Sequence, residues 1–264
     1  MRFPKPFVAI LILTCSTAAR ADDDSICADR PGKATSPCTV PAGHWQMESG
    51  LADWSLQRSD RQRQTVLTLG ETAIKYGLSN STDVAIDITP FVRVATRDHG
   101  SRSSAEGVGD LSFQLKHRLT DDKAAVQVSI LPIVTAPIAK KDIGADAWQF
   151  ALLVPVSADI GQSPFSIGLT PEVDWVADAD GRGRHVAMAQ VASLGWKATD
   201  KLNLSAELWG QWDWDPAGTT RQVSVDGSIA YLASKRLQLD AGANVGLNRN
   251  TPDLELYGGF SLRF

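Results

Sequence analysis

The sequence is poor in several things at once, and each shortage excludes a class. Only 3 of its 264 residues are Cys, too few for a disulfide-dense secreted scaffold. Its apolar runs are short: the most obvious, residues 7–13, is less than half the length needed to cross a bilayer as a helix. Positive charge is not in excess, with 26 Lys and Arg against 30 Asp and Glu, so no nucleic-acid footprint is present. There are 4 His and no clustered metal-ligand spacing, and neither a metal nor a cofactor is expected. Gly107-Val108-Gly109-Asp110 is glycine-rich, but no helix follows to receive a phosphate. Tyr is scarce too: 3, against 8 Trp. A mean hydropathy of −0.12 argues against a helical membrane bundle but not against a membrane barrel, whose strands alternate apolar with polar residues.

What is present begins with a targeting segment. Arg2 and Lys5 precede the apolar run, and Ala19-Arg20-Ala21 offers a small-x-small cleavage site. Residues 1–21 are expected to be a signal peptide, and the rest an exported protein. Cys15 leaves with the signal. Cys27 and Cys38 remain as an even pair in an oxidising compartment and flank a polar, Pro-containing stretch, so a disulfide is expected there. Residues 22–43 read as a periplasmic N-terminal arm, and residues 44–264 as a barrel.

The barrel reading rests on period-two patterning. Leu111, Phe113 and Leu115 alternate with Ser112, Gln114 and Lys116; Val84, Ile86, Ile88, Val92 and Val94 with Asp83, Asp87, Thr89 and Arg93; Leu237, Leu239 and Ala241 with Gln238 and Asp240. A helix would need a 3.6-residue period, which these windows lack. The same test gives about twelve strands, starting near Trp45, Gln64, Thr82, Gly107, Ala124, Ala147, Pro164, Arg184, Leu202, Arg221, Leu237 and Asp253. In the eighth, either Val186/Met188/Leu194/Trp196 or Ala187/Ala189/Val191 can face outward. The expected fold is all-β: an antiparallel transmembrane barrel with short periplasmic turns and longer external loops, above all residues 95–106 and 135–146. Pro90, Pro132, Pro155 and Pro171 fall inside strands, where each removes a ladder donor; they are expected at bulges or the rim.

With odd strands running outward, the aromatic residues fall into two bands. Trp45, Tyr76, Phe165, Trp196, Tyr231 and Phe264 gather at the periplasmic end; Trp54, Trp148, Trp175, Trp212 and Trp214 at the external end. Such girdles mark the two membrane–water interfaces. The last residues alternate into a terminal aromatic through Phe260, Leu262 and Phe264, which resembles the signal by which bacterial outer-membrane barrels are recognised for assembly. More narrowly, Ala73-Ile74-Lys75-Tyr76-Gly77-Leu78-Ser79, the Gly107–Asp110 motif running on to Lys116-His117-Arg118, and Leu131-Pro132 resemble the outer-membrane transporter family linked to the meta-pathway of phenol degradation. One departure is Ile133-Val134, where such chains often place Thr-Gly after Leu-Pro. The resemblance implies a barrel and uptake of small, aromatic compounds, and supplies no binding residues.

Alternation also assigns a lumen. Asp87, Asp110, Glu172, Asp174, Glu207, Asp213, Asp226, Asp240 and Glu255 are expected to face inward, with Arg93, Lys116, Arg118 and Arg263. A basic side chain facing lipid at mid-membrane costs about 2–4 kcal/mol, which favours this assignment. The acidic lining favours cations. The expected function is a passive, narrow or gated channel for small solutes in the bacterial outer membrane, in contact with its lipid and with the barrel assembly machinery. The alternative is a structural or interaction barrel whose external loops, chiefly residues 95–106, bind a surface partner. No enzyme is expected: His99 shares its loop with Asp98 and Ser101, and such a polar loop is ordinarily just solvated. Asp178-Ala179-Asp180-Gly181 lacks the later ligands of a calcium loop and reads as external hydration.

Overall fold

The computed structural model describes residues 26–59 and 62–264; the expected signal peptide lies outside the described residues. Fifteen strand segments form one sheet: β1 (Trp45–Arg58), β2 (Gln62–Ser79), β3 (Thr82–Ile88), β4 (Phe91–Asp98), β5 (Ser101–Gly107), β6 (Leu111–Arg118), β7 (Val126–Ala136), β8 (Gln149–Leu153), β9 (Val156–Asp159), β10 (Phe165–Ala177), β11 (Arg184–Lys197), β12 (Leu202–Asp213), β13 (Thr220–Ser234), β14 (Leu237–Gly246) and β15 (Leu254–Arg263). Three staves are split in two. β3 and β4 both pair with β2, β5 and β6 pair with β4 and β3, and β8 and β9 both lie between β7 and β10. The wall is therefore twelve antiparallel staves, closed where β1 pairs with both β2 and β15. Closure leaves no free edge, which a strand in lipid requires.

The chain is inside-out relative to a soluble protein. Ile74, Ile86, Phe113, Ile167, Leu169, Leu208, Leu239 and Leu256 are exposed on the outer face, whereas Gln46, Glu48, Lys75, Lys116, Glu207, Asp226, Ser261 and Arg263 are buried within. The eighth stave resolves the same way: Val186, Met188, Leu194 and Trp196 face out, and Ala187, Ala189 and Val191 are buried.

Two sequence expectations are corrected by the register. The segment 95–106 is not a loop. Residues 91–98 and 101–107 are paired strands joined by a two-residue turn, His99-Gly100, with φ of 45° and 86°. Staves 2 to 4 simply continue past the membrane. Three of the four prolines, Pro132, Pro155 and Pro171, are neither at the rim nor at register slips. Leu153 and Val156 keep one register against both β7 and β10, so Pro155 interrupts the hydrogen bonds without shifting the wall. Pro132 pairs with Leu152, and Pro171 with Gln190, without any change of register; on its other side Pro132 interrupts the ladder to β6 but does not shift it.

Pro90 belongs to a larger feature. β1 carries one extra residue, Leu51, relative to β15, between the pairs Gly50–Gly259 and Ala52–Gly258. Across this level the ladders to β2 and onward keep one register, so the extra residue is repeated in a row: by register Leu51 faces Gly70, Gly70 faces Pro90, and Pro90 faces Gly109. Gly70 takes the left-handed φ of +71° that this row requires. Past the row, inward and outward positions exchange on the first four staves. Glu48 and Glu71 face inward below it, Asp53 above it, and Asp53 pairs with Thr68, which pairs with Val92, which pairs with Gly107.

Candidate functional site

The lumen is occupied by the chain's own N-terminal arm. This departs from the expected periplasmic arm: residues 26–43 enter at the end where β1 begins and β15 finishes and loop across the interior. The loop is pinned at its base by the Cys27–Cys38 disulfide. Its path is set by inward polar groups of the wall. Gln46 brackets Cys27, accepting from its N–H at 3.2 Å and donating to its carbonyl at 2.6 Å. The backbone N–H groups of Asp29 and Arg30 donate to Glu48 at 3.0 and 3.1 Å. The Asp29 carboxylate is held between the ammonium groups of Lys75 and Lys116, and Lys75 also pairs with Glu48.

The loop then reaches the opposite wall. Arg30 binds Asp240 at 2.9 Å. The Lys33 N–H donates to Glu207 at 2.8 Å, while its ammonium lies 3.0 Å from Asp226, 3.9 Å from Glu255 and over the Trp209 ring. The Thr35 N–H donates to Thr170 at 3.1 Å. Returning, the Ser36 carbonyl accepts from Lys116 at 2.9 Å and the Val40 N–H donates to Asp83 at 2.7 Å. At the rim Gly43 donates to the Gly77 carbonyl at 2.9 Å. Strands β1–β3, β6, β10 and β12–β15 thus all hold the arm. Burial by itself would raise the Asp29 carboxyl, but Lys116 and Lys75 outweigh it and hold it down at about 2.

The external end is also tied inward. Asp110 accepts from the N–H groups of Ala139 and Ala145 at 2.9 and 2.7 Å, drawing the 137–148 connection onto the wall. His185 sits between Asp178 and Asp213, at 2.8 Å from each, with Asp215 at 3.7 Å. Asp178 is therefore a hydrogen-bond partner of an inward histidine rather than free external hydration. Near the periplasmic mouth a cleft of about 500 Å³ remains between Pro31 and inward groups such as Ser166, Ser205 and Ser228.

The expected lumen residues fall as follows. Lys116, Asp174, Glu207, Asp226 and Asp240 are buried inside the wall, Asp87 lines an inner cleft with Asp29 and Lys75, Glu255 lies 3.9 Å from Lys33, and Glu172 pairs with the buried Ala189. Asp110 and Asp213 lie towards the lumen's external end, and Arg118 and Arg263 at the periplasmic rim. Arg93 does not line the lumen. It lies past the bulge row, where it pairs with Leu67, which pairs with Trp54, so it shares the outer face with that girdle residue. Strict alternation misassigns it because the extra residue inverts the parity. At the interface an outward Arg costs only about 0–1 kcal/mol. Sequence reasoning missed Asp29, Arg30, Lys33, Glu48, Lys75, Asp83 and Trp209. The inward phase of Glu48, Lys75 and Asp83 was readable from neighbours on their strands; the arm residues carried no signal, because an aperiodic segment does not say what it touches.

The aromatic bands lie on the outer face. Trp45 packs on Tyr76 at 4.6 Å and Phe165 on Trp196 at 6.2 Å at one end; Phe150 meets Trp175 at 6.0 Å at the other. Trp148, Trp212 and Trp214 are exposed at that external end, and Tyr231 at the periplasmic one. β15 closes the wall against β1, with Phe260 opposite Ser49, Leu262 opposite Met47, and the Phe264 N–H bonded to the Trp45 carbonyl at 2.9 Å.

The family model described as MetA-pathway of phenol degradation matches residues 28–264. No curated protein sequence matches the chain. Among solved structures, it is similar to the COG4313 outer membrane channel from Pseudomonas putida F1, with a TM-score of 0.73, 15% identity, and coverage of 89% of this chain and 99% of that one. It is also similar to the translocator domain of autotransporter NalP from Neisseria meningitidis, with a TM-score of 0.58, 12% identity, and coverage of 85% and 90%. At these identities the likeness is one of fold.

Proposed function

The chain belongs to the MetA-pathway of phenol degradation family, and on that premise we propose that it is a passive outer-membrane channel for small solutes, aromatic compounds among them, closed by its own arm until the arm is displaced. The observation that carries this is the arm in the lumen. Polar and charged groups of the wall hold it, and Val40 is its one large apolar side chain that is wholly buried. Hydrogen bonds to charged groups contribute about 1.5–3 kcal/mol each once exchanged for water, and the charged groups on both sides rehydrate when the arm leaves, so its departure strips no apolar core. What it leaves behind is a water-filled lumen. A twelve-stave barrel is wider than the eight-stave barrels that their own side chains fill.

The aromatic class is suggested by the family description, and the P. putida neighbour is itself called an outer membrane channel. The reading is of a conduit rather than an enzyme: His99 stands exposed at a hairpin tip beside Asp98, remote from the lumen cleft. The interaction-barrel alternative has less to rest on, because residues 95–106 are paired wall and not a free loop. Phe260, Leu262 and Phe264, on the closing stave, are the groups offered to the assembly machinery.

The test is single-channel recording in planar bilayers on the full exported chain and on a form lacking residues 26–40. The arm-less barrel is expected to conduct in long open events, and the intact chain in rare or small ones. Silence from both forms, with the barrel folded, removes the channel. Equal conductance removes the gate. Growth of a deletion strain on aromatic carbon sources tests the solute class, and normal growth on all of them counts against it.

A further inference from the structure

The outer wall beyond the external girdle carries a row of arginines on four adjacent staves. Arg58 pairs with Arg63, Arg63 with Arg97, and Arg97 with Arg102, each directly across a ladder. Paired residues project to the same side, and the bulge row makes that side the outside. On β1 it is the face of Trp54, four residues before Arg58. Arg93 joins them two rows nearer the membrane, opposite Glu106. Like charges directly opposed across a sheet repel. Among the described residues none of these five arginines forms an ion pair, and Glu106 is the one acid on this face. Sequence alternation does not explain such an arrangement, and the fold does not need it.

Two further observations point to what neutralises it. Arg63, Arg93, Arg97 and Arg102 wall a shallow cleft of about 410 Å³ with Thr65 and Ser104, which adds hydroxyl donors to guanidinium forks. Directly below, on the same face, Leu69 and Val108 are exposed and stand beside Phe91. An apolar strip under a cationic cleft has the shape of a lipid with an anionic head. The height agrees: four residues along a tilted strand place the Arg58 row about 10 Å beyond Trp54, at the level of the headgroups. Guanidinium groups match phosphate oxygens bidentately.

We propose that the outer face of staves 1 to 4 is a binding site for the phosphate groups of lipopolysaccharide, the phosphorylated glycolipid of the outer leaflet, with Arg63, Arg97 and Arg102 as its core. The site is independent of the channel, because it faces away from the lumen.

The full exported protein in detergent micelles is titrated with rough lipopolysaccharide, with the same lipid after enzymatic dephosphorylation, and with inorganic phosphate. Intact lipid is expected to bind at least tenfold more tightly than the dephosphorylated form, with inorganic phosphate far weaker than either. The R63Q/R97Q/R102Q variant is expected to lose that tenfold preference while keeping the heat-modifiable gel mobility of a folded barrel. Equal binding of the two lipid forms by the unaltered protein overturns the proposal without any variant. So does a folded variant with undiminished preference. Inorganic phosphate binding as tightly as the lipid makes this a free-anion site and likewise overturns it.

Discussion

Asp29 is the residue on which the arm's docking turns. Its carboxylate is the counterion of two lysines that are otherwise deep in the wall, Lys75 and Lys116, whose side chains are 5% and 3% exposed. Asp29→Asn leaves Lys116 without the carboxylate it binds and Lys75 with Glu48 alone. Removing one partner of a buried pair costs about 3–5 kcal/mol. The arm of this variant is expected to become cleavable by trypsin after Lys33, in detergent conditions where the unaltered chain resists. Arg30 offers no second site, because Pro31 follows it. The pH dependence follows from the depressed carboxyl. A group lowered on docking stabilises the docked state fully above its ordinary value of 3.8 and loses that contribution as pH falls toward about 2. Channel activity is therefore expected to be flat with respect to this group from about pH 8 to 4 and to rise between 3.8 and about 2. A rise already complete at about pH 5 would show that some other group holds the arm.

At the scale of elements, the bulge row is the feature that makes four staves differ from the other eight. It lets one chain present Glu48 and Glu71 inward near mid-wall and still turn Arg58, Arg63, Arg97 and Arg102 outward above it. Gly70 is its hinge. A side chain there must adopt a left-handed conformation, and its Cβ would stand 3.4 Å from the Pro90 ring. Gly70→Ala is expected to cost about 1–2 kcal/mol, read as an earlier midpoint in denaturant unfolding followed by Trp fluorescence. An unchanged midpoint would mean the row is not under conformational demand. Strand existence was legible here; strand phase was not. The patterns of Val84–Ile88 and Leu111–Leu115 gave their staves correctly, yet the same staves carry Arg93 and Glu106 with inverted phase. An inserted residue leaves no mark in a local window when glycine and proline stand where it falls.

At the scale of the whole molecule, charge is arranged in layers. Apolar residues face lipid, arginines crowd the outer surface beyond one girdle, and carboxylates line the lumen, where the arm brings Arg30 and Lys33 to meet them. Taking the arm away removes those two cations from beside Glu207, Asp226, Asp240 and Glu255. The arm-less barrel is expected to prefer cations, measured as a reversal potential of the corresponding sign across a salt gradient. An anion preference would mean that Lys75, Lys116 and Arg118 dominate the open pore.

The all-β class, the number of staves and the pairing of Cys27 with Cys38 could all be read from local patterning, and the same patterning put the aromatic residues at strand ends. These follow from local alternation, from residue type at strand ends, and from the arithmetic of an even cysteine pair. That the arm lies within the barrel, that residues 95–106 are wall and that Arg93 faces out came from long-range pairing alone. Each depends on which distant segment a residue meets. Asp29 finds Lys116, and Leu51 displaces Arg93, through strand pairings that closure of the sheet creates, and no window of neighbouring residues contains them.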